Sequence, residues 1–205
     1  MRHDTKIAEL LGLARQGTLR ARELDAAAIP RAYLQRLCER GELVRVARGV
    51  YRLPDAPITE LHTVVEVAKR VPRAVMCLLT ALGIHELTTE VPHAIWIQIE
   101  RKDRAPSFTK PRLEVVRASG PAREHGIETR IVEGVPVRLT TAAKTVADCF
   151  RHRRRVGLEV ALEALRDYLG RTRGRGRTES LEALEAAAKA DRVSNLMHPY
   201  LAALV

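Results

Sequence analysis

Residues 30–36 read Pro30-Arg31-Ala32-Tyr33-Leu34-Gln35-Arg36. Arginine and glutamine are side chains that pair bidentately with guanine and adenine edges. On a helix opened by Pro30, Arg31 and Gln35 stand four residues apart on one face, with Ala32 and Arg36 beside them. Leu34, Leu37 and Cys38 supply the opposite, apolar face. Tyr33 either packs inward with them or reaches a phosphate. Further on, Arg45, Arg48 and Arg52 are interleaved with Val44, Val46, Val50 and Tyr51. In a β-hairpin turning at Gly49, their heads are expected to share a face and meet phosphate or a minor groove. Arg20 and Arg22 stand before a short helix, where backbone contact is usual. Recognition of double-stranded DNA is the chemistry that fits Arg20, Arg22, Arg31, Tyr33, Gln35, Arg36, Arg45, Arg48 and Arg52 together.

Other reactive groupings are weaker. Glu100-Arg101-Lys102 is an E-x-K triplet, with Glu90 upstream. Restriction-type nucleases use such a triplet with an aspartate to hold a divalent metal. That aspartate is missing, and Arg101 and Asp103 suit an ordinary charged loop. A metal-dependent nuclease with a DNA-binding N-terminal module is therefore the alternative. The histidines at 3, 62, 85, 93, 125, 152 and 198 show no metal-ligand spacing. No nucleophile elbow, phosphate loop or dinucleotide fingerprint occurs. Lys144 and Asp148, at i and i+4, read as a helix-surface pair or as an aspartate buttressing the fold. No catalytic residue, metal or cofactor is assigned, and the chain is not read as an enzyme.

The elements that must position these residues follow from periodicity. Ile7, Leu10, Leu11 and Ala14 make one face of a helix over 5–15. A short helix over 21–27 and the one over 31–40, closed by Gly41, follow it. With the hairpin over 43–53 they predict a winged helix-turn-helix. Pro54-Asp55-Ala56-Pro57 reads as a stiff exit, so the domains are expected as 1–57 (DNA binding) and 58–205 (mixed α/β). In the latter, helices are expected over 58–70, 73–83, 141–151, 157–169 and 179–190. Strands are expected over 93–100, 113–118, 127–132 and 135–139, the last two joined by Glu133-Gly134. Gly170–Arg177 alternates Gly with Arg and reads as a flexible loop. The basic run Arg151–Arg155 suits a solvated helix end. The final segment reads as a short helix broken near Pro199.

The 205 residues carry 35 Lys and Arg against 25 Asp and Glu, a net charge of +10. This excess points to a polyanionic partner. It is +4 over 1–57, +2 over 58–140 and +4 over 141–205, so the ends are the better candidates for contact. Hydrophobic residues are 46%, enough for a core. No apolar run has the length of a membrane span. Met1-Arg2-His3-Asp4 does not read as a signal peptide, and Cys38, Cys77 and Cys149 suit a reducing compartment, so a cytoplasmic protein is expected.

The stretch "GTLRARELDAAAIPRAYLQRLCERGELVRVARGVYRLP" (17–54) resembles the N-terminal winged helix of the AbiEi antitoxin family of type IV toxin–antitoxin systems. Leu34-x-x-Leu37, Arg40-Gly41-Glu42-Leu43 and Arg48-Gly49-Val50-Tyr51 carry the likeness. The pieces "LLTALGIHELTTEVPHAIWIQI" (78–99), "GIETRIVEGVPVRLTTAAKTVADCF" (126–150) and "VGLEVALEALRDYL" (156–169) are similar to the C-terminal part of longer AbiEi-like regulators. The resemblance implies a repressor that binds inverted repeats in its own promoter and antagonises a nucleotidyltransferase-like toxin without a stable complex. It places the DNA role on Arg31, Arg36, Arg45 and Arg48. Without a strict heptad, a monomer that pairs on DNA is expected. An orphan regulator without a toxin is a variant of the same reading.

Overall fold

The computed structural model describes residues 2–15, 19–21, 23–47, 49–55, 61–171 and 175–204. The protein is mixed α/β and divides into two compact units. The first comprises Met1–Pro72 and Arg130–Val137, the second Arg73–Thr129 and Arg138–Val205.

The first unit begins α1 (Arg2–Arg15), β1 (Leu19–Arg20), α2 (Glu23–Ala26), α3 (Ala32–Glu39), β2 (Val44–Ala47), β3 (Val50–Arg52). This is the expected winged helix, with one strand that periodicity did not show. β1 pairs antiparallel with β3, giving a three-stranded sheet of order β1-β3-β2. Its core gathers Leu10, Ala14, Leu19, Leu24, Ile29, Tyr33, Leu34, Leu37 and Leu43. α4 (His62–Arg70) belongs to the same unit. The division therefore does not fall at 57/58. Val64, Val65 and Val67 on α4 are buried, and Lys69 Nζ lies 3.5 Å from Glu23 Oε2 on α2. His62 Nδ1 lies 2.8 Å from Glu133 Oε2, which ties α4 to the segment 130–137.

The second unit continues with β4 (Val75–Met76), α5 (Leu78–Ile84), β5 (Ile95–Glu100), β6 (Leu113–Ala118) and α6 (Pro121–Glu124). The hairpin β7 (Ile127–Val132) and β8 (Val135–Thr140) follows, its tip Arg130–Val137 counted with the first unit. The helices α7 (Ala142–Arg151), α8 (Arg153–Val156), α9 (Leu158–Gly170), α10 (Arg175–Asp191) and α11 (Ser194–Leu204) close the chain. The five-stranded sheet has the order β6-β5-β4-β8-β7. β5 runs parallel to β6, β4 parallel to β8, and β4 antiparallel to β5. Val75-Met76 is thus a central strand inside the stretch expected to be one helix. A short apolar run suits either element, and here both residues are buried between strands. The segment 170–177 is also corrected in part: Gly170 ends α9 and Arg175 begins α10, while 172–174 lie outside the described residues. α11 runs on through Pro199, with Met197 fully buried on it.

Helices α5, α7, α9, α10 and α11 pack around Phe150, whose ring centroid lies 5.7 Å from that of Tyr200. Within this apolar mass Lys144 is 0% exposed, Asp148 3% and Asp191 2%. Lys144 Nζ donates to Asp148 Oδ1 on its own helix and to both carboxylate oxygens of Asp191 on α10, each at 3.0 Å. Arg151 Nη1 donates to the Asp191 carbonyl at 3.2 Å. Two carboxylates therefore share one enclosed ammonium. Asp148 Oδ2 has no hydrogen-bond partner. Burial, with the Asp191 charge adding to it and Lys144 opposing, pushes the Asp148 carboxyl up to about 7. Nearby, burial and then the charges of Arg151 and Arg155 push His152 down to about 4.

Two predictions follow from this network. Lys144→Met removes the ammonium that Asp148 and Asp191 share in the core, with Arg151 Nη1 still 3.7 Å from Asp191 Oδ1, and is expected to lower the unfolding free energy by about 3–5 kcal/mol in urea titrations. The second concerns pH. A raised carboxyl holds its proton in the folded state, so the Asp148 contribution is full below its ordinary 3.8 and is lost as pH rises to about 7. A lowered imidazole works in the opposite sense, adding stability as pH rises from about 4 to its ordinary 6.5. Relative to Asp148→Asn, the wild type is expected to lose stability across that range. Relative to His152→Gln, it is expected to gain. Denaturation midpoints measured at several pH values check both signs.

Candidate nucleic-acid interface

The sequence of α3 divides it sharply. Tyr33, Leu34 and Leu37 point into the core, while Arg31, Ala32, Gln35, Arg36 and Glu39 are exposed. The helix stops where Gly41 takes a φ of 71°. Gly41 N–H then donates to Cys38 O at 3.0 Å and Glu42 N–H to Leu37 O at 2.9 Å. This C-terminal closure orients the chain into the wing.

On the exposed face, Arg31 stands just before α3 and its side chain is paired to Asp25 on α2. Nε donates to Asp25 Oδ1 at 3.0 Å, and Nη2 donates to Oδ2. The hydrogen bond from Arg31 holds the Asp25 carboxyl below the usual carboxylate range, and the same bond raises the arginine. Gln35 Nε2 donates to Glu39 Oε1 at 2.9 Å. Arg36 is exposed one turn into the helix. Arg45 is exposed on β2, opposite Tyr51 on β3. Burial pushes the Cys38 thiol up, and the Arg45 charge opposes that push. Arg20 is half-buried on β1, its backbone N–H donating to Glu23 Oε2 at 2.8 Å. Arg22 and Arg48 lie outside the described residues.

Two expectations are corrected. Tyr33 is only 6% exposed and is a core residue, packed with Leu34 and Leu37. Its ring area favours burial over a surface role. Arg52 does not share a face with Arg45. The register sets Arg45 opposite Tyr51 and Arg52 opposite Val44, and neighbouring strand positions face opposite sides. A bulge between Arg45 and Ala47 shifts the alternation that the sequence suggested. Arg52 Nη1 instead donates to the carbonyls of Leu53 and Pro54, each at 3.0 Å, and so braces the exit from the wing.

The remaining candidates are taken up by local structure. Glu100 Oε2 lies 2.7 Å from Arg123 Nε, and its Oε1 accepts from Arg101 N–H at 3.0 Å. Among the described residues no three His, Cys, Asp or Glu are placed to hold a metal ion. Arg155 lies 4.7 Å over the Trp96 ring and donates to Glu114 Oε2 at 2.9 Å. Arg153 donates to Phe150 O at 3.2 Å. Arg171 donates to the carbonyls of His85 and Glu86 at the end of α5. Asp25 is the residue that sequence reasoning missed. It is six positions from Arg31 across a turn, a separation that no helical or strand period brings together.

Residues 9–54 match the model of a family described as "Transcriptional regulator, AbiEi antitoxin", which bears out the resemblance carried by the winged-helix stretch. No curated protein matches the chain. Among solved structures, the crystal structure of the RV2827C protein from Mycobacterium tuberculosis has a similar fold, with a TM-score of 0.57 and 14% identity. The likeness covers 97% of this chain and 81% of that one. Among the described residues no helix is long and apolar enough to cross a membrane.

The division of α3 is testable by stability. Tyr33→Ala is expected to lower the unfolding free energy by about 3–5 kcal/mol, the usual cost of removing a buried ring. Gln35→Ala is expected to stay within about 0.5 kcal/mol of wild type, as exposed sites do. Thermal melts of the two variants check the contrast.

Proposed function

We propose that this chain is a cytoplasmic, sequence-specific DNA-binding transcriptional regulator that represses its own promoter. In this reading α3 enters the major groove and presents Arg31, Gln35 and Arg36 to base edges. Arg45 and Arg48 are assigned to phosphates, and Arg20 and Arg22 to contact with the DNA backbone. The observation that carries the reading is the exposed set Arg31, Gln35 and Arg36 at and on α3, together with the exposed Arg45 on β2 of the same winged helix. The match of residues 9–54 to an antitoxin regulator family supports it. The net charge of +10 favours the same class of partner. The second unit then antagonises a nucleotidyltransferase-like toxin without forming a stable complex, or has lost its toxin in an orphan regulator. Two monomers pair on inverted repeats.

The test is a gel-shift titration at about 150 mM salt, where surface charge is screened beyond ~8 Å. The protein's own upstream region is set against a scrambled duplex. Preference for the native duplex in one or two discrete steps is expected. Equal, salt-sensitive smearing on both would remove the proposal, and Mg²⁺-dependent cutting abolished by Lys102→Ala would replace it with a nuclease. Arg36→Ala is expected to relax sequence preference. Arg45→Ala is expected to weaken binding to both duplexes alike, and to reduce the slope of log K against log salt by about 1.

A further inference from the structure

Asp25 grips Arg31 from one side only. Its two oxygens take Nε–H and one Nη2–H, the lateral edge of the guanidinium. A guanidinium carries five N–H donors, so three remain. Two of these, on Nη1 and Nη2, are parallel and point along the end of the side chain. That pair has the spacing of the two acceptors on the major-groove edge of guanine, O6 and N7. Adenine offers an N6 donor where guanine offers O6, and cannot take both. The side chains of Arg31 and Asp25 are 58% and 54% exposed, so the pair stands largely in solvent. An exposed pair of this kind is too weak to withhold Arg31 from DNA. It is well formed to hold one rotamer of a long side chain.

We propose that Asp25 is a positioning residue that presents the free edge of Arg31 to a single guanine in each half-site. The proposal rests on the DNA-binding reading above and deepens it to one base. Asp25 has a second effect: a carboxylate beside the groove repels phosphate. It therefore lowers affinity for unrelated DNA while sharpening the choice at one position. A residue that merely stabilised the fold would change neither preference.

The experiment is selection from a randomised duplex library with the full chain, in parallel for wild type, Asp25→Asn, Asp25→Glu, Arg31→Ala and Arg31→Lys, with thermal melts as the folding control. The wild-type motif is expected to contain one guanine per half-site whose preference Arg31→Ala and Arg31→Lys abolish. Asp25→Asn is expected to cut that preference by about tenfold, within the range of one bidentate base contact, and leave the other positions intact. It is also expected to raise affinity for a scrambled duplex severalfold, and Asp25→Glu to restore part of the guanine preference. A guanine lost with Arg31→Ala yet kept in Asp25→Asn would overturn the role of Asp25. An Arg31→Ala motif identical to wild type would overturn the role of Arg31. Failure of the wild type to select any motif would instead remove the DNA-binding reading itself, a result distinct from either.

Discussion

The ammonium of Lys144 lies where no solvent reaches it, and the second unit is organised around that fact. A charge so placed costs several kcal/mol unless it is fully paired. Here the pairing comes from Asp148, one turn further along α7, and from Asp191, at the end of α10. Helix α10 must therefore end opposite the first turn of α7, and a slip along either axis would open the contact. The same side chain dictates its neighbour just before β7. Gly126 has a φ of 64°, and a Cβ there would lie 2.7 Å from the Cβ of Lys144. Its carbonyl accepts from Thr141 N–H at 2.8 Å, just ahead of α7. Glycine at 126 is what lets backbone approach the root of that lysine.

The first unit solves a different problem. Helix α3 has only eight residues, Ala32–Glu39, and three of them are committed to the core. What remains outward is a narrow strip on which every position counts. Arg31 and Gln35 both engage acidic partners, Asp25 and Glu39, while Arg36 stands further round the helix. In the proposed DNA-binding reading, acidic residues set between basic ones on such a strip moderate its attraction to phosphate and leave directional donors to discriminate. The division of labour between core and strip is a property of helical period, since three inward residues at 33, 34 and 37 fix which others face out.

This is also why α3 was legible in sequence and other features were not. Period 3.6 identifies the exposed set Arg31, Ala32, Gln35 and Arg36, and the strands expected over 113–118 and 127–132 match β6 and β7 to the residue. Stops were read where glycine marks them, as at Gly41. Other helices close in the same way on Ala28, Glu86 and Arg192, with φ of 49°, 55° and 59°. These residues give no signal of a left-handed turn, and the expected helix end at 83 falls instead on Gly83, inside α5. The Lys144–Asp148 spacing was visible, but Asp191 lies 47 positions away, and only the packing of α10 on α7 brings it near. Arg52 failed for a related reason: a bulge in the partner strand, written nowhere in local composition, turned it toward its own backbone. Short-range order is encoded in period and punctuation, whereas pairing across the chain depends on topology.

The route of the polypeptide through the first unit limits how the molecule can be dissected. That unit takes its material from two places, Met1–Pro72 and Arg130–Val137, so no single cleavage separates it whole from the remainder. A fragment ending at residue 57 would lack α4, and one ending at 72 would keep His62 but lose Glu133. The inserted stretch 73–129 is in turn returned to the second unit only after Val137. In evolutionary terms, exchanging the N-terminal half with another gene by one crossover would strand an eight-residue hairpin tip in the wrong partner. Recombination in this architecture is therefore expected to conserve the two pieces as a set.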